Sequence, residues 1–340
     1  MKFEAVTIKD IAKALGFSTS TVSRALRDSY EISAETKKIV LEYAKEINYH
    51  PNPIALSLKE KRSRSIGVLV CEIANTFFSQ AINGIESIAY SKGYNVVISQ
   101  SHESYARELI DLQYLASRSI DGLLISVSSE TTDFSHLKEL HDRGLPIVFF
   151  DRVVDAITTH KVIVDNQKGA KNAVSHLIEK GYKRIAHIAN AASLSITKSR
   201  VEGYYQALQA HSILPDEKLL HHCDHGGLDD KEIEAILHHL LNQENKPDAI
   251  FASSDKITTG CLHYFKKHHI KVPDDIALVG FSNSNLTELL SPPLTIVKQP
   301  AFEMGEIAMS LLLNLIESKH PVKDFETRVL ETELLVREST

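Results

Sequence analysis

The chain has 340 residues, 43% of them hydrophobic and 24% charged, with a formal net charge of -6. That length and ordinary globular composition predict two or three domains, and the negative balance excludes a protein that coats DNA along its whole surface. The average hides an asymmetry: residues 1–65 hold 12 Lys and Arg against 8 Asp and Glu, and the remainder 26 against 36, so contact with phosphates is expected at one end only.

Residues 1–5 lack the apolar core of a secretory signal. The apolar run at 66–71 is far short of a membrane span. Cys71, Cys223 and Cys261 are odd in number and have no metal-ligand spacing, as expected of buried thiols in a reducing compartment. These features predict a cytoplasmic chain with no membrane partner and no cofactor.

The first element in chain order is a three-helix head over residues 7–47. Thr7-Ile8-Lys9-Asp10-Ile11-Ala12 opens a helix, with Thr7 and Asp10 spaced as a capping pair. Gly16 marks a turn, and Ser18 caps a second helix over 19–26. Two short helices split by a glycine turn predict a helix-turn-helix, whose second helix enters a DNA major groove. Next, Asn48-Tyr49-His50-Pro51-Asn52-Pro53 breaks the pattern. The stretch 54–59 has helical composition and leads into Lys59-Glu60-Lys61-Arg62-Ser63-Arg64. A helix of about seven residues is unstable alone, so its folding is expected to depend on a partner.

From Ser65 the rhythm changes to short strands alternating with amphipathic helices. Strands are predicted at 66–70, 95–99, 122–125 and 147–150, and helices at 78–92, 105–118 and 134–143. A second run has strands at 162–164, 185–189, 219–223, 249–251 and 276–279, and helices at 169–180, 200–211, 231–241 and 258–268. Alternation of this kind predicts parallel, doubly wound sheets in two similar subdomains. Segments 294–298, 302–317 and 328–336 are too small for a third unit and are expected to supply return crossings and closing strands to both.

The strings Val6-Thr7-Ile8-Lys9-Asp10-Ile11-Ala12, Ser18-x-x-Thr21-Val22-Ser23-Arg24 and Asn48-Tyr49-x-Pro51-Asn52 resemble the head of the lactose/galactose repressor (LacI/GalR) family. The similarity continues through Phe150-Asp151-Arg152, Val164-Asp165-Asn166, Arg200-x-x-Gly203, Val272-Pro273-Asp274-Asp275-Ile276, Val279-Gly280-Phe281 and Ser291-Pro292-Pro293-Leu294-Thr295, essentially the whole chain. The resemblance implies an all-α helix-turn-helix DNA-binding head plus an α/β periplasmic-binding-protein-like effector domain of two doubly wound parallel-sheet subdomains. The implied boundaries are a head at 1–50, a hinge helix and linker at 51–64, and an effector and dimerisation domain at 65–340. Within the last, 65–164 and 293–322 form one subdomain, and 165–290 and 324–340 the other. The implied function is a transcription regulator, a repressor, that binds a palindromic double-stranded operator as a homodimer or tetramer. Its affinity would change when a small molecule, a sugar or sugar derivative, enters the cleft.

By that resemblance Thr19 and Ser20 read bases, with short hydroxyls that discriminate less sharply than a bidentate side chain. Arg24 suits guanine or phosphate, and Thr7, Thr21, Ser23 and Tyr49 suit phosphates, which fix register. Leu58 matches the position that wedges into the minor groove, Leu56 being a second candidate; packing on the effector domain is the other reading for both. In the cleft the implied contacts are Asn75, Phe77, Phe78, Asp151, Arg152, Arg200, Ser254 and Ser282. Paired aromatics suit a ring face, and Asp with Arg suits a polyol or carboxylate. Helix capping and structural ion pairing are the competing roles. Ser254-Asp255 and Gly280-Phe281-Ser282 depart from the family's Asn-Asp and Gly-Phe-Asp, which puts any named monosaccharide in doubt.

His221, Cys223 and His225 would share one face of a regular strand and could hold a metal, but Gly226-Gly227 predicts that the strand ends first. The phosphate-loop, dinucleotide, zinc-protease and nucleophile-elbow motifs are all absent from the sequence, which argues against an enzyme. Control by a partner protein instead of a small molecule stays open.

Overall fold

The computed structural model describes residues 6–49 and 62–340. Packing divides the chain into one unit through Ser63 and another from Arg64. The hinge candidates Leu56 and Leu58 lie outside the described residues.

In the first unit, helices α1 (Ile8–Leu15), α2 (Thr19–Ala25) and α3 (Ala34–Glu46) pack around Ile11, Ala12, Val22, Ala25, Val40 and Ala44. The Asp10 carboxylate accepts from the backbone N–H of Thr7 at 2.8 Å and from its hydroxyl at 2.7 Å. Gly16 ends α1 at φ 71°, a left-handed conformation that costs glycine nothing. Ser18 Oγ then accepts from Thr21 N at 3.1 Å and starts α2.

The second unit holds two six-stranded sheets. The first runs β11-β5-β4-β3-β1-β2, where β1 is Ser65–Val70, β2 Asn95–Gln100, β3 Gly122–Ile125, β4 Ile147–Phe150, β5 Lys161–Val164 and β11 Thr327–Leu330; all its pairings are parallel. The second runs β12-β10-β9-β8-β6-β7, with β6 Ile185–Asn190, β7 Leu220–Cys223, β8 Ala249–Ala252, β9 Ala277–Phe281, β10 Thr295–Lys298 and β12 Glu333–Leu335. Only β12 is antiparallel to its neighbour. Central strands such as β3, β4, β8 and β9 are buried along their length and are made of aliphatic and aromatic residues, as both-face coverage by helices requires.

Helices α4 (Thr76–Ser91), α5 (Tyr105–Ser117), α6 (Ser135–Asp142) and α11 (Ala301–Glu317) belong with the first sheet. Helices α7 (Asn166–Glu179), α8 (Ser195–Ala210), α9 (Asp230–Leu241) and α10 (Asp255–Lys267) belong with the second.

The C-terminal segments are distributed differently from the expected boundaries. β10 pairs with β9 and β12 in the second sheet, so 293–322 is split: its strand joins the second subdomain and only α11 packs on the first. Likewise β11 pairs with β5 in the first sheet, so 324–340 is split as well. β5, although it opens the second run of predicted elements, lies in the first sheet, in line with the expected 65–164 boundary. The physical reason is edge completion: each sheet takes a late strand against an otherwise open side, and the chain crosses between subdomains three times, at 164–166, 298–301 and 330–333.

Candidate functional site

In the head, Thr19 and Ser20 are exposed at the start of α2, and Arg24 is exposed one turn on. Ser18 Oγ ties this turn together through Ser20 Oγ at 2.7 Å and Thr21 Oγ1 at 2.8 Å. Arg24 Nε lies 3.1 Å from Glu31 Oε2, so its guanidinium is already steered by a carboxylate from the loop before α3. Ser23 receives Arg27, whose Nε donates to its carbonyl at 3.0 Å and whose Nη2 donates to its hydroxyl at 2.8 Å. Thr7 spends its hydroxyl on Asp10, and Tyr49 packs half-buried against the head's core. Arg27 went unread in the sequence, although its i, i+4 spacing from Ser23 is a signal for this contact.

In the second unit a cavity of about 50 Å³, more than one water requires, lies between the two sheets. From the first subdomain it is lined by Asn75, Phe77, Phe78, Asp151 and Arg152, and from the second by Asn190, Ile196, Arg200, Ser254, Asp255, Phe281 and Gln299. Seven of the eight expected cleft residues line it. Ser282 does not: it is buried behind the wall, where its hydroxyl donates to the Asp255 carboxylate. A serine is too short to span the position; it orients Asp255 instead.

Each wall residue is placed by its element. Asn75 Oδ1 accepts from Phe77 N at 2.9 Å and Ser254 Oγ from Ile257 N at 3.4 Å, so both cap a helix as well as line the cavity. Phe77 and Phe78 pack edge to face at 5.3 Å, and Phe78 sets its edge against Phe150. Arg200 rides on α8, which closes on α7 at Gly203; a Cβ there would stand 2.2 Å from the Gln167 carbonyl oxygen. That close approach brings Arg200 Nε to 2.8 Å from Asn166 Oδ1, with Nη1 on the Ser253 carbonyl and Cζ 3.8 Å above the Phe281 ring.

Arg152 is buried against Glu103 as a fork: Nη1 to Oε2 at 2.6 Å and Nη2 to Oε1 at 2.8 Å. Burial would raise the Glu103 carboxyl, but Arg152 outweighs it and holds the pKa below the ordinary value. Asp151 stands at φ 60° beside Arg152, and burial raises its carboxyl; Asp255 is raised by burial too, against the pull of Ser282. Burial lowers Arg200 to about 10, which leaves it charged at neutral pH.

Asn190, Ile196, Asp255, Phe281 and Gln299 were missed by sequence reasoning. Asn190 and Phe281 end strands and Gln299 follows one, so the rule that ligands sit at carboxyl ends of parallel strands could have found them. Three cavity-lining residues carry buried polar atoms that no group satisfies: Asn190 Oδ1, Gln299 Nε2 and Arg152 Nε.

β7 ends at Cys223, and His225 falls in the turn where Gly226 takes φ 63°, so the three metal-ligand candidates do not share a strand face. His221 Nε2 meets the Lys218 carbonyl at 3.0 Å and His222 Nδ1 the Asn190 carbonyl at 2.9 Å. Among the described residues no helix is long and apolar enough to cross a membrane.

The family model "Bacterial regulatory proteins, lacI family" matches residues 7–52, and a periplasmic binding protein-like domain matches 174–340. The chain is 34% identical over 337 residues to the HTH-type transcriptional repressor CytR of Escherichia coli (strain K12), covering 99% of this chain and 96% of that one. Among solved structures, the lac repressor dimer bound to operator and the anti-inducer ONPF aligns with a TM-score of 0.83 at 26% identity, over 99% of both chains. A complex of the transcriptional regulator CelR with cellobiose aligns at 0.70 and 30% identity, over 98% of this chain and 100% of that one. The chain belongs to the LacI family of bacterial regulatory proteins and is a DNA-binding transcription regulator, not an enzyme.

Proposed function

We propose that the chain is a repressor that binds a two-fold symmetric operator as a homodimer. Thr19, Ser20 and Arg24 meet base edges, and Thr21, Ser23 and Tyr49 meet the phosphate backbone; Thr7, whose hydroxyl and N–H both go to Asp10, serves as the α1 cap. The hinge, with Leu58 as its minor-groove wedge, belongs to the same reading. A small hydroxylated molecule with a ring face, a sugar or sugar derivative, enters the cleft and changes operator affinity. The supporting observation is the cavity wall: aromatic rings from both subdomains surround buried polar atoms that lack partners, on Asn190, Gln299 and Arg152. A ligand with hydroxyl groups and a ring face suits such a wall, its hydroxyls pairing the polar side chains and its ring face the aromatic ones. The lac repressor's operator-bound dimer and the cellobiose bound to CelR agree with this choice.

The test is a fluorescence-anisotropy titration of a labelled palindromic duplex with and without a panel of sugars and nucleosides, paired with thermal shift. A ligand at 100 times its Kd should stabilise the chain by about 2.7 kcal/mol and change operator affinity. Operator binding that ignores every cleft ligand and responds to a protein would overturn the small-molecule reading.

A further inference from the structure

We infer that Glu103 is a specificity residue: by filling the guanidinium fork of Arg152 it sets the cleft to accept uncharged, hydroxyl-bearing ligands and to turn away phosphorylated or carboxylated ones. This rests on the cleft being the effector site.

A cleft with two arginines would ordinarily suit an anion, since the planar guanidinium fork matches carboxylate and phosphate oxygens in pairs. Here the Arg152 fork is committed to the protein, and Arg200 is partly so. Glu103 takes both Nη groups of Arg152, at 2.6 and 2.8 Å, and Oε2 accepts Ser129 N at 2.9 Å as well. Arg200 gives Nε to Asn166 and Nη1 to the Ser253 carbonyl, and lies flat on Phe281. What Arg152 still offers is Nε, a single buried donor with no hydrogen bond and the Asp151 carboxylate 4.0 Å away, which fits one hydroxyl or carbonyl oxygen and cannot grip a phosphate. Asp151 and Asp255 add two acceptors. With Glu103 the site therefore sets three carboxylates against two guanidiniums, a balance that repels a further negative charge.

The backbone is bent to deliver this carboxylate. His102 and Glu103 both take positive φ, 51° and 61°, a conformation that non-glycine residues adopt at a cost. From the second subdomain Gly226 closes over it: a Cβ at Gly226 would lie 3.2 Å from Glu103 Oε1. Glu103 is thus walled in on the arginine and does not swing aside for an incoming anion.

The experiment titrates inorganic phosphate, at constant ionic strength, against the full chain, E103Q, R152Q and the double variant E103Q/R152Q, reading binding by calorimetry and thermal shift. E103Q, shown to be folded by circular dichroism, should bind phosphate about ten- to hundredfold more tightly than the parent, the worth of a charge-assisted hydrogen bond. The gain should vanish in the double variant, which separates it from phosphate held elsewhere. A folded E103Q with no gain, or parent binding that R152Q abolishes, overturns the proposal. If E103Q does not fold, E103D keeps the charge but withdraws it by one methylene; a gain lost on adding R152Q supports the inference, and no gain overturns it. The operator titration above reads the effector role without phosphate, so either reading can fail while the other stands.

Discussion

Arg200, in the cavity wall, and His187, in the core of the same subdomain, show how much single buried side chains decide. Arg200 reaches Asn166, the Ser253 carbonyl and the Phe281 face at once, which only a planar guanidinium does. Arg200→Lys keeps the charge, loses the Nε bond and the stacking, and should lower the urea unfolding free energy by about 1–3 kcal/mol; an unchanged midpoint would mean the stack carries no stability. His187 is fully buried between Phe251, 4.4 Å away, and Tyr204, with Nδ1 on the Phe251 carbonyl. Burial lowers its pKa to about 3 from an ordinary 6.5. Above pH 6.5 it is neutral folded or unfolded and costs nothing. Below that the unfolded chain takes up a proton that the folded chain refuses, so stability is lost as pH falls from 6.5 toward 3. The loss is up to about 1.4 kcal/mol per pH unit. Urea unfolding at pH 7, 6 and 5 should therefore give a steeper decline for the parent than for His187→Leu, and parallel slopes would count against it.

At the scale of elements, close helix crossings fix the two subdomains. In the first, α4 and α11 meet at glycines on both sides: a Cβ on Gly84 would stand 2.0 Å from the Phe302 carbonyl oxygen, and one on Gly305 2.0 Å from that of Ala81. Backbone cannot yield as a side-chain end does, so Gly305→Ala must push the helices apart and unpack Ala81, Ile85 and Met304. The expected loss is about 1–3 kcal/mol, despite alanine's better helix propensity, and a thermal melt that rises instead would refute the crossing as a packing constraint. The order of helices and strands from Ser65 was legible because hydrophobic periodicity is local. The sheet each late strand joins was not: residues 295–298 and 327–330 are four-residue strands whose membership is set by β9 and β5, far away in sequence. The site divides in the same way. Asp151, Arg152 and Arg200 stand in motifs, whereas Glu103 reaches Arg152 only through two left-handed residues that no periodicity announces. Ser282 was read as a wall residue because it ends a motif, yet its short side chain stops at Asp255.

For the whole effector unit, three short crossings join the subdomains, and a few polar side-chain contacts bridge them as well. Gln80 from α4 and Asn283 beyond β9 form the most reciprocal of these: Gln80 Nε2 donates to the Asn283 carbonyl at 3.3 Å and Asn283 Nδ2 to Gln80 Oε1 at 2.8 Å. Ser193 Oγ adds a bond to the Ser129 carbonyl at 3.2 Å. Asn283 is also tied within its own subdomain, through the Gln299 carbonyl at 2.7 Å and Gln299 N at 3.1 Å. Removing Asn283 would therefore damage the cleft wall itself, whereas Gln80→Ala deletes the bridge and leaves Asn283 braced. Two lost hydrogen bonds are worth about 1–3 kcal/mol, enough to move an open–closed ratio by about five- to 150-fold. Gln80→Ala should accordingly show a larger radius of gyration by solution X-ray scattering, recovered when a cleft ligand is added, because a ligand that bridges both walls restores what the bridge supplied. Scattering identical to the parent, with only a lower melting temperature, would mean that Gln80 contributes to stability without fixing the distance between the subdomains, and that the crossings alone set the cleft.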